Sequence, residues 1–271
     1  VELVGRLATV VFDPQTVELV RGGPEMRRRW FDQGISSVDS EYLIHLQAAN
    51  RALKQKASLL RDVRRGFSSL GTVSRDLETW NAELAAHAAP LVRKRADWLS
   101  RAAQAGRDSY MDLSDEKQEL QLVYKQGVGS EDPGGTDADF SREILAVLDY
   151  ITSDEIRRGR CLSGPQTDDV DIILDGVSLR TYGSRGETRT AAISLKLAQA
   201  EIVYGMRGVR PVLFFDDIFS ELDKDRSRKL QERTAKDHQV FIATARAEDV
   251  AGWEPAGAST WTVHEGVVTI R

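Results

Sequence analysis

Two neighbouring carboxylates close an apolar run in the segment from Pro211 to Asp223. Val212 to Phe215 is uninterrupted apolar, as a strand covered on both faces should be, and Asp216 and Asp217 follow it directly. Ligands of open α/β sheets lie at the carboxyl ends of strands. A carboxylate placed there suits Mg²⁺, a hard cation that takes oxygen ligands and keeps several waters. A second one beside it can orient or deprotonate a water that attacks a phosphate. Asp216 is thus the candidate metal ligand and Asp217 the candidate water-positioning group. Alone, the pair also fits a buried strand ending in a solvated acidic turn. Ser220, Glu221, Leu222 and Asp223, which follow at once, favour the chemical reading, because two motifs then agree in order and context.

A second segment, Tyr182 to Thr190, opens a helix with Gly183, Ser184, Arg185, Gly186 and Glu187. Small residues let the backbone come close to a phosphate, and the free N–H groups of a first helical turn favour an anion. Ser184, Arg185, Gly186 and Glu187 are therefore candidate nucleotide contacts. Ser184 and Glu187 also form an S-x-x-E capping box, which needs no ligand.

The elements that must position these groups follow from periodicity. Leu7 to Phe12 predicts a strand, and Asp13-Pro14 a helix start. Gly22-Gly23-Pro24 is a break before a second helix. A helix is expected from Ser40 to about Val63, and another from Ser74 to about Arg101. In the second, Leu77, Leu84, Leu91 and Trp98 fall seven apart, which suggests two helices packed along their length; Pro90 is a potential kink. Glu119 to Tyr124 reads as a strand, Gly127 to Gly135 as an exposed loop, and Phe140 to Ile151 as an amphipathic helix. Val170, Ile172 and Leu174 alternate up to an Asp175-Gly176 turn, with Val177 and Leu179 continuing beyond it, a hairpin pattern. A helix over Thr190 to Val203, the Val212 strand, a polar helix, a strand over Val240 to Thr244 and a hairpin at Glu265-Gly266 complete the chain. Strand, helix and strand at the end imply a parallel α/β sheet.

The 271 residues are 41% hydrophobic and 29% charged, an ordinary globular composition. No apolar run approaches the ~20 residues that span a bilayer, and no secretory signal is expected. One cysteine, Cys161, excludes an internal disulfide and fits a reducing, cytoplasmic compartment. The first residue, Val1, is not methionine, which leads us to expect a fragment or a processed chain. Net charge is −5, yet the first 110 residues hold 17 Lys+Arg against 13 Asp+Glu while the remainder holds 20 against 29. A basic front and an acidic back can bind phosphate on one face and stay soluble. Candidate phosphate contacts are Arg27, Arg28 and Arg29, then Arg61, Arg64 and Arg65, then Arg93, Lys94 and Arg95; each cluster also fits a solvated helix face with ion pairs. His45, His87, His238 and His264 are dispersed without metal-ligand spacing.

Gly183 to Ala198 resembles the signature stretch of the RecF family, roughly S-Q-G-Q-Q-R-T followed by L-x-L-K-L-A. The Asp216-Asp217 pair resembles that family's Walker B end, and Ser220 to Asp223 its D-loop. Val11 to Leu19-Val20, Gly22 to Pro24 and Arg27 to Asp32 are similar to its F-x-P-x-D-L, L-V-x-G-x-P and R-R-x-x-x-D runs, and Ser163 to Asp169 to its G-P-H-R-D-D. Where the family has signature glutamines this chain has Arg185, Glu187 and Thr188. Gln166-Thr167 replaces His-Arg, and Gln15-Thr16 replaces Glu-Asp. No G-x-x-x-x-G-K-[ST] occurs in the 271 residues, so the chain alone is expected not to hydrolyse ATP.

The resemblance implies an α/β, ABC-type ATPase head of the RecF/SMC/Rad50 kind with an inserted helical arm lobe, the P-loop part being missing on the N-terminal side. Residues 1–38 and 150–271 would form the head and residues 39–149 the arm. It implies ATP and Mg²⁺ as cofactors. It also implies an ATP-dependent homodimer that clamps duplex DNA or a single-strand/duplex junction in recombinational repair, with RecR and, indirectly, RecA as partners and no membrane. Asp216 would hold Mg²⁺ and Asp217 would position water, while Ser184 to Glu187 and the D-loop Ser220 to Asp223 would face the other subunit. Alternatives are another SMC/Rad50-like head, or a non-hydrolysing DNA or protein interaction module that kept the fold.

Overall fold

A computed structural model describes residues 7–114, 117–131, 134–235, 237–250 and 257–270. Strand β1, Thr9–Phe12, is followed by a single 3-10 turn and the short helix α1, Glu18–Arg21. Helices α2, Pro24–Ser36, α3, Ser40–Arg64, and α4, Leu70–Ser114, then run in succession. Strand β2, Leu120–Lys125, and helix α5, Asp137–Arg158, lead to β3, Asp169–Leu174, and β4, Val177–Ser178. The rest comprises α6, Leu179–Tyr182, α7, Arg185–Arg207, β5, Val212–Asp216, α8, Lys224–Ala235, β6, Val240–Ala243, and the hairpin β7, Trp261–His264, with β8, Val267–Ile270. Among the described residues no helix is long and apolar enough to cross a membrane.

The expected parallel sheet forms in the order β1-β5-β6. Phe12 lies opposite Phe215, and Asp216 opposite Ala243, so the three strands end together. Phe12 and Phe215 pack with ring centroids 4.6 Å apart in a core completed by Val10, Leu213, Ile218, Phe219 and Leu230. A second, antiparallel sheet has the order β2-β3-β4. Its tight turn is the one expected: Asp175 and Gly176 both take positive φ, 49° and 80°, as a type I′ turn requires. Leu179, however, starts α6 instead of extending the strand, so β4 is two residues long.

The α4 helix is longer than periodicity suggested, 45 residues or about 65 Å, and it continues through Pro90. Leu77, Leu84, Leu91 and Trp98 are buried as expected. Beyond Trp98 the stripe continues as Ala102, Tyr110 and Leu113, which spacing by sevens alone did not show. Gly34 is a packing requirement: a Cβ there would lie 2.4 Å from the Trp98 ring, so α2 meets α4 only because the side chain is absent. The largest core joins all three expected segments, through Trp30 and Phe31 on α2, Leu84 and Leu91 on α4, and Val170 and Leu195 beyond them. The β2 strand, assigned above to the arm, pairs with β3 along its whole length.

Candidate functional site

Asp216 ends β5 with its side chain exposed, beside the end of β6 and across from Asp13, which follows Phe12 at the end of β1. Asp217 is half-buried and sits at φ 50°, a left-handed conformation unusual outside glycine but tolerated by aspartate. Its N–H donates to the Ala243 carbonyl at 2.9 Å, and its own carbonyl accepts the Ser220 hydroxyl at 2.8 Å. Both backbone groups are thus anchored, one to β6 and the other to the following turn, and this fixes where the carboxylate projects.

Ser184 caps α7. Its hydroxyl accepts from the Glu187 N–H at 3.2 Å while the Glu187 carboxylate accepts from the Ser184 N–H at 2.7 Å. The capping box read from the sequence is therefore formed. The Ser184 N–H first, and then the Ser184 hydroxyl, hold the Glu187 carboxyl below the usual range. Its charge is turned back onto the helix start. Ser184 and Arg185 are exposed, and Gly186 faces the Arg226 guanidinium, 3.3 Å from where a Cβ would stand.

The helix start and the 220–223 turn are tied together. Arg189 donates to the Glu221 carbonyl at 3.1 Å and pairs with its carboxylate at 3.1 Å. Asp223 accepts from the Arg226 N–H at 2.9 Å and thereby starts α8, while Ser220 is held by Asp217 and Leu222 packs on the sheet core. Asp13, Arg189, Ile218 and Glu221 line a crevice of about 10 Å³, room for a single water. The structure thus ties the first turns of α7 to the 220–223 turn, and that turn to Asp217 at the end of β5. The sequence reading did not single out Arg226, or Lys196 on α7. Burial pulls the Lys196 ammonium below its usual range, against the opposing pull of Asp13.

The basic candidates divide. Arg27 and Arg95 are corrections: both are buried and bonded internally, so they are not surface phosphate contacts. Arg27 grips Asp169 at 2.6 and 3.2 Å. Arg95 donates to Asp168 at 2.6 Å, to Asp32 at 2.8 Å, to the Pro165 carbonyl at 2.7 Å and to the Tyr42 hydroxyl at 2.9 Å. Runs of arginine on a helix alternate between its faces, and residues 27 and 95 fall on the inward one. Asp168, fully buried, also accepts from the Tyr124 hydroxyl at 2.5 Å and the Gly127 N–H at 2.7 Å. Burial pushes its carboxyl up, against Arg95 and these donors. This network was invisible in the sequence because the partners in these bonds lie 41 to 142 residues apart.

Arg28 donates to the Asp168 carbonyl at 2.7 Å, Arg93 pairs with Asp137 at 3.0 Å, and Lys94 bridges Asp39 and Glu41, each at 2.7 Å. Arg29, Arg61, Arg64 and Arg65 are exposed. The histidines dispersed in sequence are not all dispersed in space: Nδ1 of His45 and Nδ1 of His87 lie 2.9 Å apart between α3 and α4. Among the described residues no group of three or more His, Cys, Asp or Glu could hold a metal ion.

The chain is 34% identical over 269 residues to the DNA replication and repair protein RecF of Heliobacterium modesticaldum, covering 98% of this chain and 70% of that one. It is 37% identical over 274 residues to the protein of the same name from Geobacter sulfurreducens, covering 99% and 71%. A solved structure of the recombination mediator protein RecF-ATPrS in the RecFOR pathway superposes with a TM-score of 0.86 at 26% identity, over 99% of this chain and 69% of that one. No family model matches.

Proposed function

Because this chain belongs to the RecF family of DNA replication and repair proteins and has the α/β ABC-type ATPase fold of that family, we propose that it is the signature and Walker B part of an ATP-dependent DNA-binding repair protein. The observation that carries the reading is Asp217, locked at φ 50° between β6 and the Ser220 turn beside the exposed Asp216 carboxylate. A doubly anchored acid beside an exposed one at the carboxyl end of a parallel strand stands where open α/β sheets bind their ligands.

The donor set fits Mg²⁺: Asp216 supplies an accessible carboxylate with room for waters, and bound Mg²⁺ would neutralise charge on a transferred phosphoryl group. Asp217 would accept a hydrogen bond from the attacking water and hold it in line. Ser184, Arg185 and Gly186 would present hydroxyl, guanidinium and N–H donors to the γ-phosphate bound by a second copy, with Glu187 kept out of the way by its capping bonds. Arg189 and Glu221 would hold the D-loop, Ser220 to Asp223, in register with that contact. The homodimer, closure on duplex DNA or a single-strand/duplex junction, RecR and RecA as partners, and cytoplasmic location complete the proposal.

The 271 residues contain no P-loop, so the test supplies one upstream in cis and measures mass by light scattering with and without Mg-ATP. Nucleotide-dependent dimerisation, with Asp217→Asn accumulating the dimer, is the expected result. Tight ATP binding by the 271 residues alone would overturn the shared site. DNA binding without any response to ATP would favour the second reading, a non-hydrolysing interaction module, for which the departures at Arg185, Glu187 and Thr188 speak.

A further inference from the structure

The ends of α3 and α5, far apart in sequence, stop side by side. Arg64 donates from its guanidinium to the Arg158 carbonyl at 2.6 Å, and its side chain packs on Gly159, where a Cβ would stand 2.4 Å away. A satellite core of Leu60, Val73 and Leu77, joined by Ile156 and Cys161, binds these ends to the start of α4. The surface so formed carries Arg61, Arg64, Arg65, Arg157, Arg158 and Arg160, all exposed. Only half of this cluster was visible as a run in the sequence.

The acids facing it do not cancel it. Asp154 is already paired with Arg157 at 2.7 Å, α3 adds Asp62, and Lys56 and Glu155 neutralise each other at 2.6 Å inside the core. The start of α4 contributes Arg75 against Asp76 and Glu78, giving seven arginines against four carboxylates in all. Arginines in a last helical turn complement the helix dipole. That accounts for Arg61, Arg64, Arg157 and Arg158, but Arg65 and Arg160 lie beyond the helices. No ion pair holds Arg61, Arg65, Arg158 or Arg160 among the described residues. Beside them Phe67 is 75% exposed, after Gly66 at φ 77°.

We propose that this arm-tip surface binds the phosphate backbone of nucleic acid, apart from the nucleotide edge and independently of sequence. Guanidinium forks match phosphate oxygens two at a time, and an exposed aromatic beside them suits base stacking. The inference rests on the DNA-binding reading above and adds a place for it. The test uses the full chain and a fluorescent 30-base-pair duplex, titrated by anisotropy at several salt concentrations. Arg61→Glu/Arg65→Glu/Arg160→Glu alters side chains with no internal bond. It should weaken binding at least tenfold and lower the log–log salt slope by about 2 to 3, close to one for each phosphate no longer neutralised. Arg64→Ala, which gives up packing, is checked by its melting temperature and should follow the same trend more weakly. Variants that bind the duplex like the parent overturn the arm-tip site and leave the DNA-binding reading standing; a parent that binds no duplex also overturns the arm-tip site, whereas the ATP-dependent reading stands or falls by the dimerisation experiment with the P-loop supplied. If the triple variant loses affinity for polyglutamate but not for the duplex, the surface is a protein dock and the proposal fails.

Discussion

At position 217 the backbone asks for a residue that accepts φ near +50°, and the proposed chemistry asks for a carboxylate. Asparagine meets the first demand without the second, because its short polar side chain visits the left-handed region almost as readily. Asp217→Asn should therefore keep its melting temperature within a degree or two while abolishing any hydrolysis. Asp217→Val should cost about 1–2 kcal/mol, read by urea denaturation, because a β-branched residue is poorly placed there. Equal losses for the two variants would mean that position 217 is not under backbone control. At the start of α7, Ser184→Ala should cost about 1 kcal/mol. The Glu187 half of that box is pH-dependent. Its folded carboxyl titrates below its unfolded value, so its contribution is full above the unfolded pKa and is lost as pH falls through the lowered one. Acid titration of Glu187→Gln against the parent should show this dependence missing. Ser184, Glu187 and Asp217 were all legible as a cap and an acidic strand end. The left-handed backbone was not, because it arises from hydrogen bonds to Ala243 and Ser220 that only the fold creates.

Between elements, buried charge does what spacing could not reveal. Lys56 on α3 and Glu155 on α5 are fully buried and meet at 2.6 Å, with Glu155 also accepting the Leu162 N–H at 2.8 Å. Losing one partner strands a charge, so Lys56→Met or Glu155→Leu alone should cost about 3–5 kcal/mol. The double variant should recover most of that loss, since apolar replacement of a buried pair is often neutral. A double-mutant cycle with additive losses would show the pair to be uncoupled. Arg95 and Asp168 pose the same question for α4 and the 163–169 segment, and Arg95→Ala should fall in the same range. Helix positions were readable because heptads of leucine set the packed stripe. Their lengths were not, because α4 continues past Trp98 along a stripe of alanine and tyrosine that faces other elements. In the same way, arginines at 27 and 95 look like surface charge until the fold supplies Asp169 and Asp168.

Across the whole molecule, α7 is the shared member. Ala191, Ala192, Leu195, Ile202 and Val203 belong to the large core that reaches α2, α4 and β3, whereas Ile193, Leu197 and Ala200 belong to the sheet core under β1 and β5. The helix whose first turn carries Ser184 to Glu187 is therefore buried on both sides. Two cores back to back on one helix cannot separate without exposing it. We therefore propose that the head and arm divisions, 1–38 with 150–271 and 39–149, describe topology more than independent folding. Far-UV circular dichroism should follow helix, and tryptophan fluorescence should follow Trp30 and Trp98 in the large core. The two should report one coincident urea transition. Leu195→Ala on one face and Leu197→Ala on the other should each cost about 2–5 kcal/mol and shift both signals together. Two separated transitions, with Leu197→Ala moving only one of them, would mean that the sheet core unfolds by itself and that α7 does not transmit between the arm and the nucleotide edge.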